Sequence, residues 1–289
     1  MSRLVPLSDD LKSQGVVDLP ELMQAIRART PARILTGRAG PAYRTATQLE
    51  LRQDQAAALD AVHAELDLER DLGKAFVERW ALFEVSSCAR SKSEHLLRPD
   101  LGRRLSDDAR AQLRKRCSSG ADIQVVIGDG LSATAVKAQV PALLPLLQES
   151  VQARGWTWGQ PFVIRYCRVG VLNDVGDLLR PQVAVLLIGE RPGLATAESL
   201  SAYLAYRPQS GHTDAQRNLI SNIHARGVPP EQAARRIIAL AEKMIQARAG
   251  GVAVKEDLPA PASPSYIERG SDARSENREG GGSWGRVHG

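Results

Sequence analysis

Three short apolar runs in the middle of the chain alternate with segments of helix length. The runs are Ile123–Ile127, Phe162–Tyr166 and Val183–Ile188, and the last is apolar throughout. A continuous apolar run such as the last is typical of a strand that is buried on both faces of a parallel sheet. Their alternation with helical segments indicates right-handed parallel connections. We therefore predict a Rossmann-like α/β subdomain over residues 121–250, closed by a final helix that starts at Pro229 and Pro230.

The preceding segment, Thr47–Arg116, has a helical period instead. Thr47 and Glu50 have the spacing of a capping box. The apolar positions that follow step by three and four at Leu59, Val62 and Leu66. A second helix is predicted after Ser106, because acidic residues fill its first turn and basic residues its last. We predict a small helical subdomain over residues 47–120.

The two ends of the chain are predicted to lie outside these subdomains. Residues 1–46 contain one short helix candidate capped by Asp18, together with a glycine-rich loop, which is the pattern of an N-terminal arm. Residues 251–289 contain the stretches PAPASPS and EGGGSWG and few residues that could join a core. We predict that this C-terminal tail is disordered.

Two loops follow the first and third predicted strands. Gly128–Ser132 has the sequence GDGLS and could present backbone amides and one carboxylate to a ligand. Gly189–Gly193 places Glu190 and Arg191 directly after the third strand, and the residues up to Tyr203 resemble the start of a helix. Ligands of open α/β sheets bind beyond the carboxyl ends of the strands. If the first and third strands are neighbours, both loops lie at that edge.

Composition restricts the setting of the protein. The chain has 289 residues, no apolar segment behind its first arginine and no run near the roughly 20 apolar residues of a membrane helix. Its three cysteines have no metal-like spacing and are odd in number. Reduced thiols in the cytoplasm are therefore expected, with no membrane partner.

Basic residues exceed acidic ones by 38 to 33, and the excess is concentrated between Arg90 and Arg116. RNA binding by this patch is one interpretation. Aromatic residues make up only 4% of the chain and none is interleaved with these basic residues, as stacking on single strands would require. A solvated or subunit-contacting face is the favoured interpretation, and no nucleic-acid partner is predicted.

Candidate catalytic groups are few. The five histidines are scattered, and neither an HExxH nor a CxxC pattern occurs. We predict no catalytic residue and no metal ligand in this chain. A stand-alone α/β nucleotide-binding enzyme that uses the Gly128–Ser132 loop remains the alternative, although the loop has no lysine and the chain has no P-loop or GxGxxG fingerprint.

Several longer motifs occur in a fixed order along the chain. They are TGRAGPAYRT at Thr36–Thr45, RPDLGRRL at Arg98–Leu105, VVIGDGLSATAV at Val125–Val136, GERPGL followed by ESLSAY at Gly189–Tyr203, and SNIHARGVPP at Ser221–Pro230. Together they resemble the small (light) subunit of ethanolamine ammonia-lyase over about residues 36–249.

This resemblance implies a function that the candidate chemistry alone does not. The family's small subunit joins a large catalytic subunit in a hetero-oligomer, and the two enclose adenosylcobalamin at their interface. The complex converts ethanolamine into acetaldehyde and ammonia by a radical mechanism, with the difficult chemistry supplied by the cofactor. The chain would then be inactive alone. The resemblance leaves open whether the complex is free in the cytoplasm or enclosed in a bacterial microcompartment.

The family's cobalamin contacts fall on Val169, Glu190 and Leu219 in this sequence. Some relatives carry a cysteine in place of Leu219, and a backbone contact would survive that change whereas a thiol contact would not. The alternative for Glu190 is a surface carboxylate paired with Arg191.

The segment Asn222–Gly227 has the pattern N-x-H-x-x-G, one residue away from the D-x-H-x-x-G pattern of enzymes whose histidine replaces the lower base of cobalamin. A histidine that binds a metal is usually oriented by an acceptor such as a carboxylate, and Asn222 offers a neutral amide. We therefore predict base-on adenosylcobalamin, with His224 as a hydrogen-bonding loop residue.

Overall fold

The structure, a computed structural model, describes residues 19–28, 34, 36–193 and 196–257. All the helices and strands given below belong to the unit Met1–Glu256. The predicted helix cap Asp18 lies outside the described residues, as do residues 258–289 of the predicted tail.

The N-terminal part is mainly helical. Its elements are helix α1 (Leu19–Ala28), the hairpin strands β1 (Arg38–Ala39) and β2 (Ala42–Tyr43), and helices α2 (Thr45–His63), α3 (Leu68–Leu72) and α4 (Lys74–Arg79). The predicted capping box at Thr47 is wrong, because α2 begins at Thr45 and its N-cap, Arg44, makes no side-chain capping hydrogen bond. Leu59, predicted to face a core, is 59% exposed.

The remaining elements build one sheet and its covering helices. They are β3 (Glu84–Ser86), α5 (Lys92–Leu97), α6 (Asp107–Arg116), β4 (Ile123–Gly128), α7 (Ala133–Gln152), β5 (Phe162–Arg165), α8 (Val171–Leu179), β6 (Val183–Gly189), β7 (Leu200–Tyr206), β8 (Arg217–Ile223) and α9 (Pro230–Ala247). Short 3₁₀ turns lie at Leu101–Arg103, Asp214–Gln216 and Gly251–Ala253. Helix α6 begins as predicted, because the Ser106 side chain accepts a hydrogen bond from the Ala109 N–H.

The six strands follow the order β3-β5-β4-β6-β7-β8. The pairs from β3 to β6 are parallel, whereas β7 and β8 are antiparallel to their neighbours. The chain is thus an α/β protein with a mostly parallel sheet. The three predicted strands are confirmed as β4, β5 and β6, and β4 separates the other two. Sequentially distant strands are neighbours here because helical crossovers connect them.

The predicted helix start before Tyr203 is wrong, because that segment is strand β7. Leu200, Ala202 and Leu204 are buried in one layer of the core, whereas Tyr203 packs against the other layer. This alternation has the period of two that defines a strand with its side chains on opposite faces. The loop before it is rich in small and polar residues, which hid the change of period.

The sheet is covered on both faces. Helices α7 and α9 pack on one face, against residues such as Val125 and Leu187. Helices α6 and α8 pack on the other, against residues such as Val126 and Leu186. The second face is left partly open beyond β6, where Leu219 on the edge strand β8 is 45% exposed. A ligand or partner can therefore reach this part of the sheet.

At two of the predicted subdomain boundaries, the packed structure extends across the boundary. Strand β3 lies inside the segment predicted as helical and pairs with β5 of the α/β segment, so the division at residue 120 stays a prediction. Residues 251–257 of the predicted tail are described. Val254 is buried, and the Asn218 side-chain amide donates to the carbonyls of Gly251 and Val254 at 3.2 and 2.8 Å. Residues 251–256 therefore belong to the packed structure of the first unit.

Candidate functional site

Of the three residues predicted to contact a cofactor, Val169 and Glu190 lie at the sheet's carboxyl edge, whereas Leu219 lies level with Leu186 in the middle of the sheet. Val169 lies in the loop after β5, Glu190 follows β6 directly, and Leu219 lies in β8. The register aligns Ile164 of β5 with Gly128 of β4, and Gly128 with Ile188 of β6. The strands therefore end at the same level, and the loops that carry Val169 and Glu190 emerge side by side.

Two serines fix the carboxylate of Glu190, one directly before β7 and one within it. The Ser199 hydroxyl donates to Glu190 Oε2 at 2.7 Å, and the Ser201 hydroxyl donates to Oε1. The Glu190 N–H also donates to the Ser199 carbonyl at 3.1 Å. The carboxylate is thus held by hydroxyl groups instead of by an ion pair with Arg191, the alternative that the sequence left open. Each carboxylate oxygen keeps a lone pair for a further donor.

Tyr203 connects Glu190 with Leu219 along the partly open face. Tyr203 is the cross-strand neighbour of Leu219 on one side and of Leu186 on the other. Leu219 lies four residues back along the strand direction and two strands across from Glu190. With about 3.3 Å per residue and 4.8 Å per strand, the two residues are about 16 Å apart. Burial, and then the nearby Glu190 carboxylate, raise the pKa of Tyr203. The phenol therefore stays neutral and can donate a hydrogen bond.

Val169 is held at the beginning of α8. Its carbonyl accepts a hydrogen bond from the Leu172 N–H at 3.2 Å, and its side chain is partly buried against the layer formed with α6 and α8. The residue before it is also fixed, because the Arg168 N–H donates to the Gly102 carbonyl at 2.7 Å. The apolar side chain of Val169 therefore has a defined position beside the sheet edge.

The Gly128–Ser132 loop does not present its carboxylate outward. Asp129 is 1% exposed, and its Oδ1 accepts a hydrogen bond from the Cys167 N–H at 3.3 Å. The Gly130 carbonyl accepts from Lys92 Nζ at 3.3 Å and from His95 Nε2 at 3.1 Å. The expectation that this loop offers a carboxylate to a ligand is therefore wrong. The loop is held from within the protein.

Burial is the largest influence on the pKa values of the titratable side chains beneath this loop. It raises the pKa of Asp129, with Lys92 opposing the effect, and it lowers the pKa of Lys92, with Asp129 opposing it. Burial also lowers the pKa of His95 to about 4, so the imidazole is neutral near pH 7. Spacing along the chain does not indicate this cluster, because Lys92 and His95 lie on α5 after β3 whereas Asp129 follows β4, and both strands pair with β5.

Comparisons with known proteins agree with the motifs. A sequence model of the family described as "Ethanolamine ammonia-lyase light chain (EutC)" matches residues 20–255. A protein named "Ethanolamine ammonia-lyase small subunit" from Clostridium perfringens is 38% identical over 249 residues, covering 85% of this chain and 82% of the relative. Relatives of the same name from Clostridium acetobutylicum (36% identical, 81% of this chain, 95% of the relative) and Fusobacterium nucleatum (38% identical, 86% and 84%) also match.

The chain belongs to the ethanolamine ammonia-lyase light chain family. The family match contains Val169, Glu190 and Leu219 together with all five motifs.

Glycines in these light-chain motifs let loops approach closely at the sheet edge. A Cβ on Gly102 of RPDLGRRL would lie 2.8 Å from the Tyr166 carbonyl oxygen and 3.0 Å from His95 Nδ1. A Cβ on Gly189 of GERPGL would overlap the Ser132 carbonyl. Any larger residue would push the loops apart, so these glycines position the loops that hold Val169 and Glu190.

The histidine of the light-chain motif SNIHARGVPP is closed to a metal. The Arg226 N–H donates to His224 Nδ1 at 3.2 Å, so Nε2 carries the proton and donates to Asn222 Oδ1 at 2.7 Å. His224 is 3% exposed. The prediction that His224 is a hydrogen-bonding loop residue is confirmed.

No group of three or more His, Cys, Asp or Glu side chains in the part of the chain that the structure describes is arranged to hold a metal ion. No helix within the described ranges has the length and apolar character needed to span a membrane.

Proposed function

We propose that this chain is the small subunit of adenosylcobalamin-dependent ethanolamine ammonia-lyase, and that it helps to bind the cofactor at its interface with a large catalytic subunit. The observation that carries the proposal is the carboxylate of Glu190, which two serine hydroxyls hold on the partly open face that also carries Leu219. A fixed acceptor on the same face as exposed apolar surface about 16 Å away suits a large ligand that has both amide groups and apolar edges.

The residues present fit a corrin ring. Glu190 would accept hydrogen bonds from the amide side chains at the corrin periphery, because both of its oxygens keep free lone pairs. Leu219 and Val169 would contact apolar edges. Adenosylcobalamin, when bound, supplies the radical chemistry that converts ethanolamine into acetaldehyde and ammonia. The chain itself contributes binding, orientation and exclusion of water.

We further propose that the cofactor binds base-on, with its own lower base kept as the axial ligand. Both ring nitrogens of His224 already have partners within the loop, at 2.7 and 3.2 Å. Binding to cobalt would require both hydrogen bonds to be broken and the buried ring to turn outward. That cost favours the lower base of the cofactor as the ligand.

The structure favours neither alternative function. The loop that a nucleotide phosphate would need has its Gly130 carbonyl and its Asp129 carboxylate bound from inside the protein. In the basic patch, Arg110 pairs with Asp174 at 2.5 Å and Arg116 lies over the Phe83 ring at 3.8 Å. These two side chains are engaged within the fold and are not free to join a row of cations for RNA.

Reconstitution tests the proposal. The purified chain should release no ammonia from ethanolamine, whereas mixing it with the large subunit and adenosylcobalamin should give a stable complex and ammonia release. Turnover by the chain alone would contradict the subunit assignment, as would failure of the two chains to associate. A location in the cytoplasm or in a bacterial microcompartment stays a prediction.

A further inference from the structure

Three arginines without a carboxylate partner gather at the carboxyl edge of the sheet, next to the proposed cofactor face. They are Arg103, Arg168 and Arg191, and together they are called the cationic edge. None of the three forms an ion pair with a residue that the structure describes. Nearby arginines differ in this respect, since Arg98 pairs with Asp100 at 2.8 Å.

Backbone contacts bring Arg103 and Arg168 together. The Arg168 N–H donates to the Gly102 carbonyl at 2.7 Å, which joins the loop after β5 to the turn that carries Arg103. The absence of a side chain at Gly170 makes room for Arg103, because a Cβ there would lie 2.9 Å from Arg103 Cγ. The side chain of Arg103 therefore runs alongside the start of α8.

Arg168 and Arg191 follow strands that end at the same level. Arg168 comes four residues after Ile164, and Arg191 comes three residues after Ile188, in strands that flank β4. Arg168 donates to the His95 carbonyl at 3.2 Å, while its buried Nε has no hydrogen-bond partner. Arg191 is exposed. Both guanidinium groups therefore keep unused donors beside Val169 and Glu190.

The charges at this edge repel one another. Burial lowers the pKa of Arg168, and the positive charges of Arg191 and Arg103 lower it further. Cys167 and Asp129 act in the opposite direction. Neither Glu190 nor Asp129 pairs directly with these arginines, because serine hydroxyls donate to Glu190 and the Cys167 N–H donates to the buried Asp129. An anion placed between the three guanidinium groups would relieve this repulsion and use the free donors.

We propose that the cationic edge binds the phosphodiester that links the lower base of cobalamin to its corrin ring. The inference rests on the proposed function, since it concerns the same cofactor. The phosphodiester is the cofactor's anionic group, and guanidinium groups suit phosphate because they offer several donors in a plane. With the corrin edge against Glu190 and Leu219, a nucleotide loop directed toward Val169 would meet the cationic edge.

The test compares two ligands on the assembled complex of both subunits. One ligand is hydroxocobalamin, and the other is a cobinamide, which lacks the phosphodiester and the lower base. Equilibrium binding, followed by absorbance, is measured for the wild type, Arg168→Met, Arg191→Met and the control Arg98→Met, whose arginine is exposed and already paired. Arg191→Met is included as a variant that should fold normally, because no hydrogen bond among the described residues depends on that side chain.

For Arg168→Met and Arg191→Met we expect about a ten- to hundred-fold rise in the Kd of hydroxocobalamin, as for loss of a charge-assisted hydrogen bond. The Kd of the cobinamide should change less than about twofold, because that ligand has no phosphate to lose. Arg98→Met should leave both affinities unchanged. The loss should also shrink at high salt.

Three results would overturn the inference. The first is an equal loss of affinity for both ligands. The second is weaker association of the two subunits in the absence of any ligand, which would mean that the cationic edge binds carboxylates of the large subunit. The third is normal binding of hydroxocobalamin by both variants. Failure of the wild-type complex to bind either ligand would instead remove the proposed function itself, so the two failures are distinguishable.

Discussion

Replacing Glu190 with glutamine or alanine tests the cofactor face directly. Glutamine keeps the shape of the side chain and one acceptor oxygen, so the hydrogen bonds from Ser199 and Ser201 are partly preserved. The negative charge and the second acceptor are lost. Alanine removes the whole group. If Glu190 accepts hydrogen bonds from corrin amides, alanine should weaken cobalamin binding more than glutamine does.

The magnitude follows from the contacts. A hydrogen bond to a charged group contributes about 1.5–3 kcal/mol, so Glu190→Ala should raise the Kd of cobalamin roughly ten- to hundred-fold. Stability should change much less, because Glu190 is only partly buried and the serine hydroxyls can turn to other acceptors. Glu190→Gln should fall between the wild type and alanine.

A matched control exists at the opposite edge of the sheet. Asp122 precedes β4, and its carboxylate accepts from the Thr157 hydroxyl at 2.8 Å and from the Gln182 amide at 2.6 Å. Asp122→Asn therefore disturbs a similar arrangement far from the proposed face. Cobalamin titration of each assembled complex, with urea unfolding of each chain, separates binding from stability. An unchanged Kd for Glu190→Ala, or an equal loss in Asp122→Asn, would refute the reasoning.

Three further predictions concern other parts of the chain. Removal of residues 258–289 should leave assembly and cobalamin affinity unchanged. Removal of all residues from Gly251 onward should lower the free energy of unfolding by about 2 kcal/mol, because the buried side chain of Val254 is lost. Equal urea midpoints for the two truncations would contradict this. In the Co(II) paramagnetic resonance spectrum, a nitrogen-15 label in the lower base of cobalamin should change the superhyperfine splitting, and labelled histidine should not; the reverse pattern would make His224 a cobalt ligand. Burial holds the pKa of His95 at about 4, against about 6.5 in the unfolded chain. The wild type should therefore lose stability relative to His95→Asn as the pH falls from 6.5 to 4. Parallel curves of stability against pH for the two proteins would show that His95 does not titrate in this way.

The central strands could be predicted because their residues are apolar on both faces. Val183–Ile188 is a continuous apolar run, Ile123–Ile127 is interrupted only by Gln124, and helices cover both sides of these strands. The outer strands could not be predicted in the same way. Strand β8 exposes Leu219 and buries Ile220, and β3 has only three residues. Edge strands carry a weak pattern because one of their faces lacks a covering layer.

The site was only partly predictable for a related reason. Glu190 could be placed at a strand end, since glycine and proline follow the apolar run directly. Its partners are Ser199, directly before β7, and Ser201, within it. Both lie in a segment that resembles the start of a helix, so the hydrogen bonds could not be foreseen. The Lys92, His95 and Asp129 cluster depends on contacts between residues 35–38 positions apart. Spacing along the sequence contains no signal for such contacts.

The most direct measurement is an experimental structure of this chain in complex with the large subunit and a cobalamin. The account predicts the corrin ring at the subunit interface, against strands β7 and β8, with a corrin amide within hydrogen-bond distance of the Glu190 carboxylate. A cobalamin enclosed by the large subunit alone, or bound at the edge near Asp122, would contradict it.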